Sequence, residues 1–279
     1  MRPLFSGPLT VEALQIPIRD LPANLEGKVI VQLSDFHYDG ERLSDRMLQD
    51  AIATIPTLNP DLVVFTGDFV TTVPDPIHKL ATQLSTITQA YPTLAILGNH
   101  DHWCSDAGPT ITEALSQIGV TVLRNQITFP FGPDLPIVGL NDYYHPDFSL
   151  DILNQLPPDL PRIVLSHNPD TAELMMPWRV DLQISGHTHG GQIVIPGFGN
   201  LAERWFKFRT GLPQFIRKSN LPYLGDHCAK VFTHWEWAMG LHTVGQNTLY
   251  VNRGLGSYAP GRFFCNPEIT AIALTSLQP

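Results

Sequence analysis

Charge is scarce in this chain. Only 15% of its 279 residues are Asp, Glu, Lys or Arg, against about a quarter in an ordinary soluble domain. The charge present leans acidic, at a net −9, so the broad basic surface that drives sequence-independent nucleic-acid binding is missing. Cysteine is nearly absent: Cys104, Cys228 and Cys265 lie far apart and form no CxxC pair. That pattern argues against a disulfide framework or a zinc ribbon and suits a reducing compartment. No apolar run reaches the roughly 18 residues that a membrane-spanning helix needs. The opening MRPLFSGPLTVEALQIPIRD breaks its apolar residues with proline and charge, unlike a secretory leader. Internal repeats and low-complexity tracts are lacking. The expectation is a cytoplasmic protein with no nucleic-acid partner, able to bind anionic substrates locally where metal ions supply positive charge.

What is present is a core. Hydrophobic residues make up 43% of the chain, enough for a packed interior. Short β-branched runs recur at 28–33, 61–66, 93–97, 135–140, 162–166 and 181–185. Each is strand-length and nearly continuous in apolarity, as in sheets buried on both faces. Helix-like segments at about 41–55, 76–90 and 109–118 separate the early runs. Strand and helix alternation predicts βαβ units and an α/β fold. The length suits one large domain spanning 1–279, with an excursion at about 199–235 before a return strand at 248–256. That excursion carries Arg204, Lys207, Arg209, Arg217 and Lys218 among Trp205, Phe206, Phe208 and Phe215. It is expected to form a cap, and basic residues mixed with large aromatics, which favour anionic membrane surfaces, offer a reading with peripheral membrane or acyl-chain contact. The plainer reading, given first weight, is a solvated cap whose aromatics pack on the core.

The ends of the strand runs carry the chemistry. VQLSDFH delivers Asp35 and His37, VVFTGDF delivers Asp68, and AILGNHD delivers Asn99, His100 and Asp101. IVLSHNPD delivers His167, and QISGHTH delivers His187 and His189. Ligands gather outside the carboxyl ends of strands in open α/β sheets, so these side chains are expected at one rim. Carboxylate, amide oxygen and imidazole without thiolate form a mixed N/O set. Asp35, His37, Asp68, Asn99, His167, His187 and His189 are too many for one ion and suit two ions sharing a carboxylate. Such a set takes manganese, iron, zinc or magnesium. Residues at i and i+2 on an extended segment point the same way, so D-x-H and H-x-H are expected to converge on a common centre through strand alternation. His102, His145, His227, His234 and His242 read as ordinary polar residues, with His145 a cleft-lining candidate. Asn252 and Arg253 of YVNRGLG are candidates for the site border, Arg253 as a phosphate partner, with a plain strand-to-turn role the equal alternative.

The order D-x-H, G-D, G-N-H-D, a lone histidine and G-H-T-H resembles the calcineurin-like metallophosphoesterase family over about residues 28–189. The downstream GGQIVIP, YVNRGLG and PEITAIAL resemble a bacterial branch that includes phosphodiesterases and enzymes cleaving the pyrophosphate of UDP-2,3-diacylglucosamine in lipid A biosynthesis. The resemblance implies a four-layer α/β/β/α sandwich around two central mixed sheets. It implies that Asp35, His37, Asp68 and His189 hold a first divalent ion, manganese by preference, and that Asp68 bridges to a second ion completed by Asn99, His167 and His187. His100 would contact phosphate or protonate the leaving oxygen, and Asp101 would orient His100. The family's G-D-x-x-D is GDFVT here, with Thr71 in the second acidic position, which puts the hydrogen bonding near His100 in question. The implied reaction is in-line attack on phosphorus by metal-activated water. The substrate would be a phosphorylated small molecule or a lipid-linked nucleotide sugar. Rival readings are a nucleotide phosphodiesterase or phosphomonoesterase using the same site, and a non-catalytic metal-binding scaffold.

Overall fold

The structure is a computed structural model that describes residues 3–211 and 232–277. It is built on two six-stranded sheets packed face to face. The first runs in the order β1 (Thr10–Ile18), β14 (Glu268–Ser276), β2 (Val29–Leu33), β3 (Leu62–Phe65), β4 (Thr93–Ala95) and β5 (Thr121–Val122). The second runs β12 (Gly240–Val244), β13 (Asn247–Val251), β9 (Leu182–Ser185), β8 (Ile163–Leu165), β7 (Ile137–Gly139) and β6 (Gln126–Thr128). Within each, a run of parallel strands is closed by antiparallel pairings: β14 against β2, β12 against β13, and β6 against β7. The expected mixed α/β architecture is therefore present.

The pleat explains the near-continuous apolarity of the strands. In β2, Ile30 faces the layer between the sheets while Val31 and Leu33 face the helices. The inter-sheet layer joins Ile30, Leu62 and Val64 to Ile163, Leu182 and Ile184. Gln32 is the polar exception. Its amide donates to Thr66 Oγ1 at 2.8 Å and to Ser185 O at 2.9 Å, tying one sheet to the other. A buried amide needs such partners.

Helices α1 (Asp45–Thr54), α2 (Pro76–Thr88) and α3 (Ala107–Gln117) flank the first sheet. In α2, Ile77, Leu80, Ala81, Leu84 and Ile87 form the buried stripe at helical spacing. The α1 helix starts later than the run from 41 suggests. Asp39 Oδ1 accepts the amides of Glu41 and Arg42 at 2.9 and 2.8 Å, which makes a turn, and Ser44 then caps the helix at Met47 N. The outer face of the second sheet is covered differently. Its regular cover is the single-turn α4 (Thr171–Leu174) and a 3-10 segment, Asp151–Gln155. Prolines at 146, 157, 158, 161, 169 and 177 interrupt any longer helix there.

The excursion lies partly outside the described residues. Its described start is a two-stranded hairpin, β10 (Val194–Ile195) with β11 (Gly199–Asn200), followed by α5 (Leu201–Thr210). Residues 212–231, which include Phe215, Arg217, Lys218, His227 and Cys228, are outside them. On α5, Arg204 lies over the Phe198 ring and Lys207 pairs with Glu203, while Arg209 is buried rather than offered to solvent. Among the described residues no helix is long and apolar enough to cross a membrane.

Candidate metal centre

The tips of β2, β3, β4, β8 and β9 converge, as their polar endings suggest, but not on extended backbone. Asp35, His37, Asp68, His187 and His189 all have positive φ, at 52°, 42°, 55°, 74° and 52°. Left-handed backbone costs a non-glycine residue on the order of 1 kcal/mol or more and persists where surrounding structure enforces it. Here the enforcement is a lattice of main-chain bonds between loops: Asp35 N to Gly67 O at 3.0 Å, His37 N to Asp68 O at 2.9 Å, Gly186 N to His167 O at 3.1 Å and Gly256 N to Asp35 O at 2.7 Å. The expectation that D-x-H and H-x-H converge through strand alternation is therefore corrected. They converge because each strand end curls.

The curled tips form two adjoining groups. Asp35, His37 and His189 make one, and Asp68, His167 and His187 the other, with donor atoms within 4.8 Å of one another. His37 Nε2 and His189 Nε2 are 3.0 Å apart, and His187 Nδ1 and His167 Nε2 are 3.2 Å apart. Asp68 Oδ2 stands between the groups, 3.4 Å from His37 Nε2 and 3.2 Å from His167 Nε2. The ligand residues are buried. Asp35 accepts His187 N at 3.0 Å, so each group helps to set the other. Burial alone would raise the Asp68 carboxyl, but His167 and His37 hold it well below the usual carboxylate range. Burial alone would lower His167, yet Asp68 holds it up to about 10.

The donor set fits a pair of divalent ions. Asn99 Oδ1, read as a ligand to the second ion, is buried and has no hydrogen-bond partner among the described residues. A buried carbonyl oxygen left without a donor is costly, and a cation would satisfy it. The outward nitrogens of two ligand rings are anchored, His167 Nδ1 on Thr66 O at 2.6 Å and His189 Nδ1 on Gly256 O at 3.2 Å. Such anchors fix which nitrogen faces a metal.

His100 sits at the rim, with its backbone amide on Asp68 Oδ1 at 2.9 Å and its Nδ1 on Thr71 O at 2.7 Å. The second acidic residue missing from GDFVT is thus not needed here: a main-chain carbonyl serves, and the Thr71 hydroxyl donates to Asp39 instead at 2.9 Å. Burial lowers the His100 pKa against the raising effect of Asp68. Trp103 stacks on the ring at 5.3 Å.

Two role expectations change. Asp101 does not touch the His100 ring. Its carboxylate accepts the amides of Phe69 at 2.8 Å, Val70 at 3.3 Å and Gly98 at 2.9 Å, so it clamps the two loops that carry Asp68 and Asn99. Burial and the Asp68 charge push it up to about 8 while those amides oppose. Arg253 is not placed to receive phosphate. Its guanidinium is held by Glu268 and Glu12, both at 2.5 Å, and by Thr10, because carboxylates of β1 and β14 reach it first. Asn252 likewise serves the turn, donating to Glu268 and Thr270 and accepting from Gly254. His234 is held between Glu173 and Glu236, and His242 on Met239 O.

Three residues join the site that the motifs did not flag. Tyr258 places its hydroxyl 3.1 Å from His37 Nδ1 and 3.5 Å from His100 Nε2. Arg262, fully buried, donates to the carbonyls of His189, Arg253, Gly254, Gly256 and Cys265. Asp142 follows β7 and is buried. The tyrosine and arginine lie in a glycine-rich loop with no spacing signal, although the apolar–polar switch after 135–140 would have exposed Asp142.

Residues 28–191 match the model of the calcineurin-like phosphoesterase family. The chain is 34% identical to the metallophosphoesterase YkuE of Bacillus subtilis (strain 168), over 92% of this chain and 82% of that protein. It is 31% identical to the phosphodiesterase YaeI of Escherichia coli (strain K12), over 88% and 81%. It is 28% identical to the UDP-2,3-diacylglucosamine pyrophosphatase LpxG of Chlamydia muridarum (strain MoPn / Nigg), over 88% and 83%. With the matched region running from β2 through His189, the last of the candidate ligand histidines, the chain belongs to the calcineurin-like phosphoesterases and is a metal-dependent phosphoester hydrolase.

Proposed function

We propose that this hydrolase cleaves a phosphodiester or pyrophosphate bond with two divalent ions, manganese by preference. Asp35, His37, Asp68 and His189 hold one ion, and Asp68, Asn99, His167 and His187 the other. The observation that carries the reading is the position of Asp68, whose one carboxylate oxygen lies within 3.4 Å of an imidazole from each group. Bound ions would supply an acidified water and neutralise phosphoryl oxygens. The chain's own residues do the rest. His100, with Nδ1–H donating to Thr71 O, turns Nε2 toward the rim, where, once protonated, it donates to a phosphoryl oxygen or gives its proton to the leaving oxygen. Tyr258 bridges His37 and His100 and keeps both rings in place. Asp101 fixes the loops behind them.

A lipid-linked nucleotide sugar such as UDP-2,3-diacylglucosamine is the finer reading of the substrate. Its support is the LpxG relative and an exposed apolar surface. Leu4, Phe5, Phe263 and Phe264 line one surface hollow, and Phe198, Trp205 and Phe208 are exposed on the hairpin and helix that open the excursion. Exposed apolar hollows mark interaction sites, and this one suits peripheral contact on the membrane. The test is hydrolysis of bis-p-nitrophenyl phosphate and of UDP-2,3-diacylglucosamine with added Mn²⁺, Mg²⁺ or Zn²⁺. Turnover of the first establishes a diesterase and of the second the lipid-linked substrate. Folded protein that turns over neither with any ion would be a scaffold.

A further inference from the structure

The geometry points to a leaving-group subsite beside the second ligand group, one that selects a leaving group able to donate hydrogen bonds and free of negative charge. This rests on the phosphoesterase reading above and specifies its substrate class. The subsite is a cavity of about 410 Å³ lined by Asn99, His102, Trp103, Asp142, Tyr144 and His145 among others. Asn99 belongs to both cavity and ligand set, so anything seated there adjoins the reaction centre.

Topology explains why Asp142 is present. In the second sheet, β8 sends His167 to the metals and β9 sends His187 and His189. The parallel neighbour β7 is followed by 140–142 and sends Asp142 to the cavity instead. This residue is only 2% exposed. Its Oδ2 accepts Tyr144 N at 2.9 Å, while Oδ1 has no hydrogen-bond partner among the described residues. His102 Nε2, on the same wall, has none either. A buried carboxylate oxygen without a donor is a standing cost of the fold, and a ligand hydroxyl or ammonium entering the cavity removes it.

The lining also states what is rejected. Among the described residues no Lys or Arg lines the cavity, so a second phosphate placed there would meet the Asp142 carboxylate with no lining cation beside it. The leaving group of a pyrophosphate is itself a phosphate, so within the reading above this subsite favours the phosphodiester over the pyrophosphate. Trp103 and Tyr144, 63% and 49% exposed, supply aromatic walls, which suit the C–H face of a polyol or sugar and the cation of an amino alcohol.

The experiment is calorimetric binding to the full chain loaded with Mn²⁺, using sn-glycerol 3-phosphate, phosphoethanolamine and ethyl phosphate. The donor-bearing esters are expected to bind about tenfold tighter than ethyl phosphate, the better of the two separating a hydroxyl from an ammonium preference. In Asp142→Ala that preference should vanish while metal content by plasma emission stays at the wild-type value. Equal affinity of wild type for all three esters would overturn the subsite and leave the phosphoesterase reading standing. Loss of metal from both Asp142→Ala and Asp142→Asn would overturn it too, since the carboxylate would then act through the ions. Failure of every ester to bind the metal-loaded chain would remove both readings together.

Discussion

His37 Nε2 and His189 Nε2 face each other across 3.0 Å in a buried site. With its Nδ1 on the Gly256 carbonyl, His189 turns a lone pair toward His37. Two imidazole nitrogens at that distance need a proton or a cation between them. Removing metal should therefore destabilise the fold. Saturation at about 100 times the dissociation constant adds about 2.7 kcal/mol, which for a chain of this size corresponds to roughly 5–10 °C in melting temperature. Calorimetric scans with Mn²⁺ and with excess EDTA measure it, and coincident melting curves would deny the two groups a metal role.

Metal uptake should also release protons. In the metal-free arrangement Asp68 holds His167 protonated up to about 10, and a ligand nitrogen must lose that proton to bind an ion. Affinity should rise with pH from neutrality toward that value and fall on acidification. Titrations at pH 7 in buffers of different ionisation enthalpy should show about one proton released on filling the second group. Buffer-independent heats would contradict the assignment of His167 as a ligand.

His100 and Tyr258 should separate chemistry from metal binding. His100 contacts the ligand set through its backbone amide and directs its ring to the rim. His100→Asn should keep both ions and lose about 10²–10⁴ in kcat. Tyr258→Phe removes the hydroxyl that spans His37 and His100, and a loss of about tenfold is expected. Metal content measured beside the kinetics decides whether each residue acts on the reaction or on the site.

Much of this site was legible because ligand types sit at the ends of recognisable strands. Asp35, Asp68, Asn99, His167 and His187 announce themselves by following β-branched runs, and the runs are apolar because both faces of each sheet are covered. What was not legible depends on distance. Arg253 looks like a phosphate partner until Glu12, 241 residues away, folds against it. Tyr258 reaches His37 across 221 residues. The curl that brings D-x-H together is enforced by bonds from other loops, so no periodicity within the motif encodes it.

His102 gives a pH prediction of opposite character. Burial, with His145 close by, pushes its pKa down to about 4, and the two rings lie 4.4 Å apart. The unfolded chain takes up this proton near the ordinary histidine value of about 6.5, whereas the folded chain does so only near 4. The folded state is thus favoured above pH 6.5, loses that advantage as pH falls, and stops losing it near 4. The dependence of urea midpoints on pH in that window should be shallower in His102→Gln. Ring proton shifts of His102 that titrate near 6.5 would contradict the placement.

Gly98 tests whether the centre depends on backbone closeness. A Cβ on Gly98 would lie 2.3 Å from Asp68 Oδ1, 2.7 Å from Asp68 N and 2.8 Å from His167 Cε1. Two of those atoms belong to Asp68, the proposed bridge, and its backbone cannot yield without shifting the loop that Asp101 clamps. Gly98→Ala should therefore displace Asp68 from both groups at once and weaken metal binding by more than about 100-fold. Gly211 supplies the control, because a Cβ there meets nothing closer than 3.4 Å. Metal content of the two variants, with far-ultraviolet dichroism to confirm folding, separates the outcomes. If Gly98→Ala bound metal as tightly as Gly211→Ala, the carboxylate between the groups would be movable, and its bridging role would depend on the ions rather than on the packing of the loops.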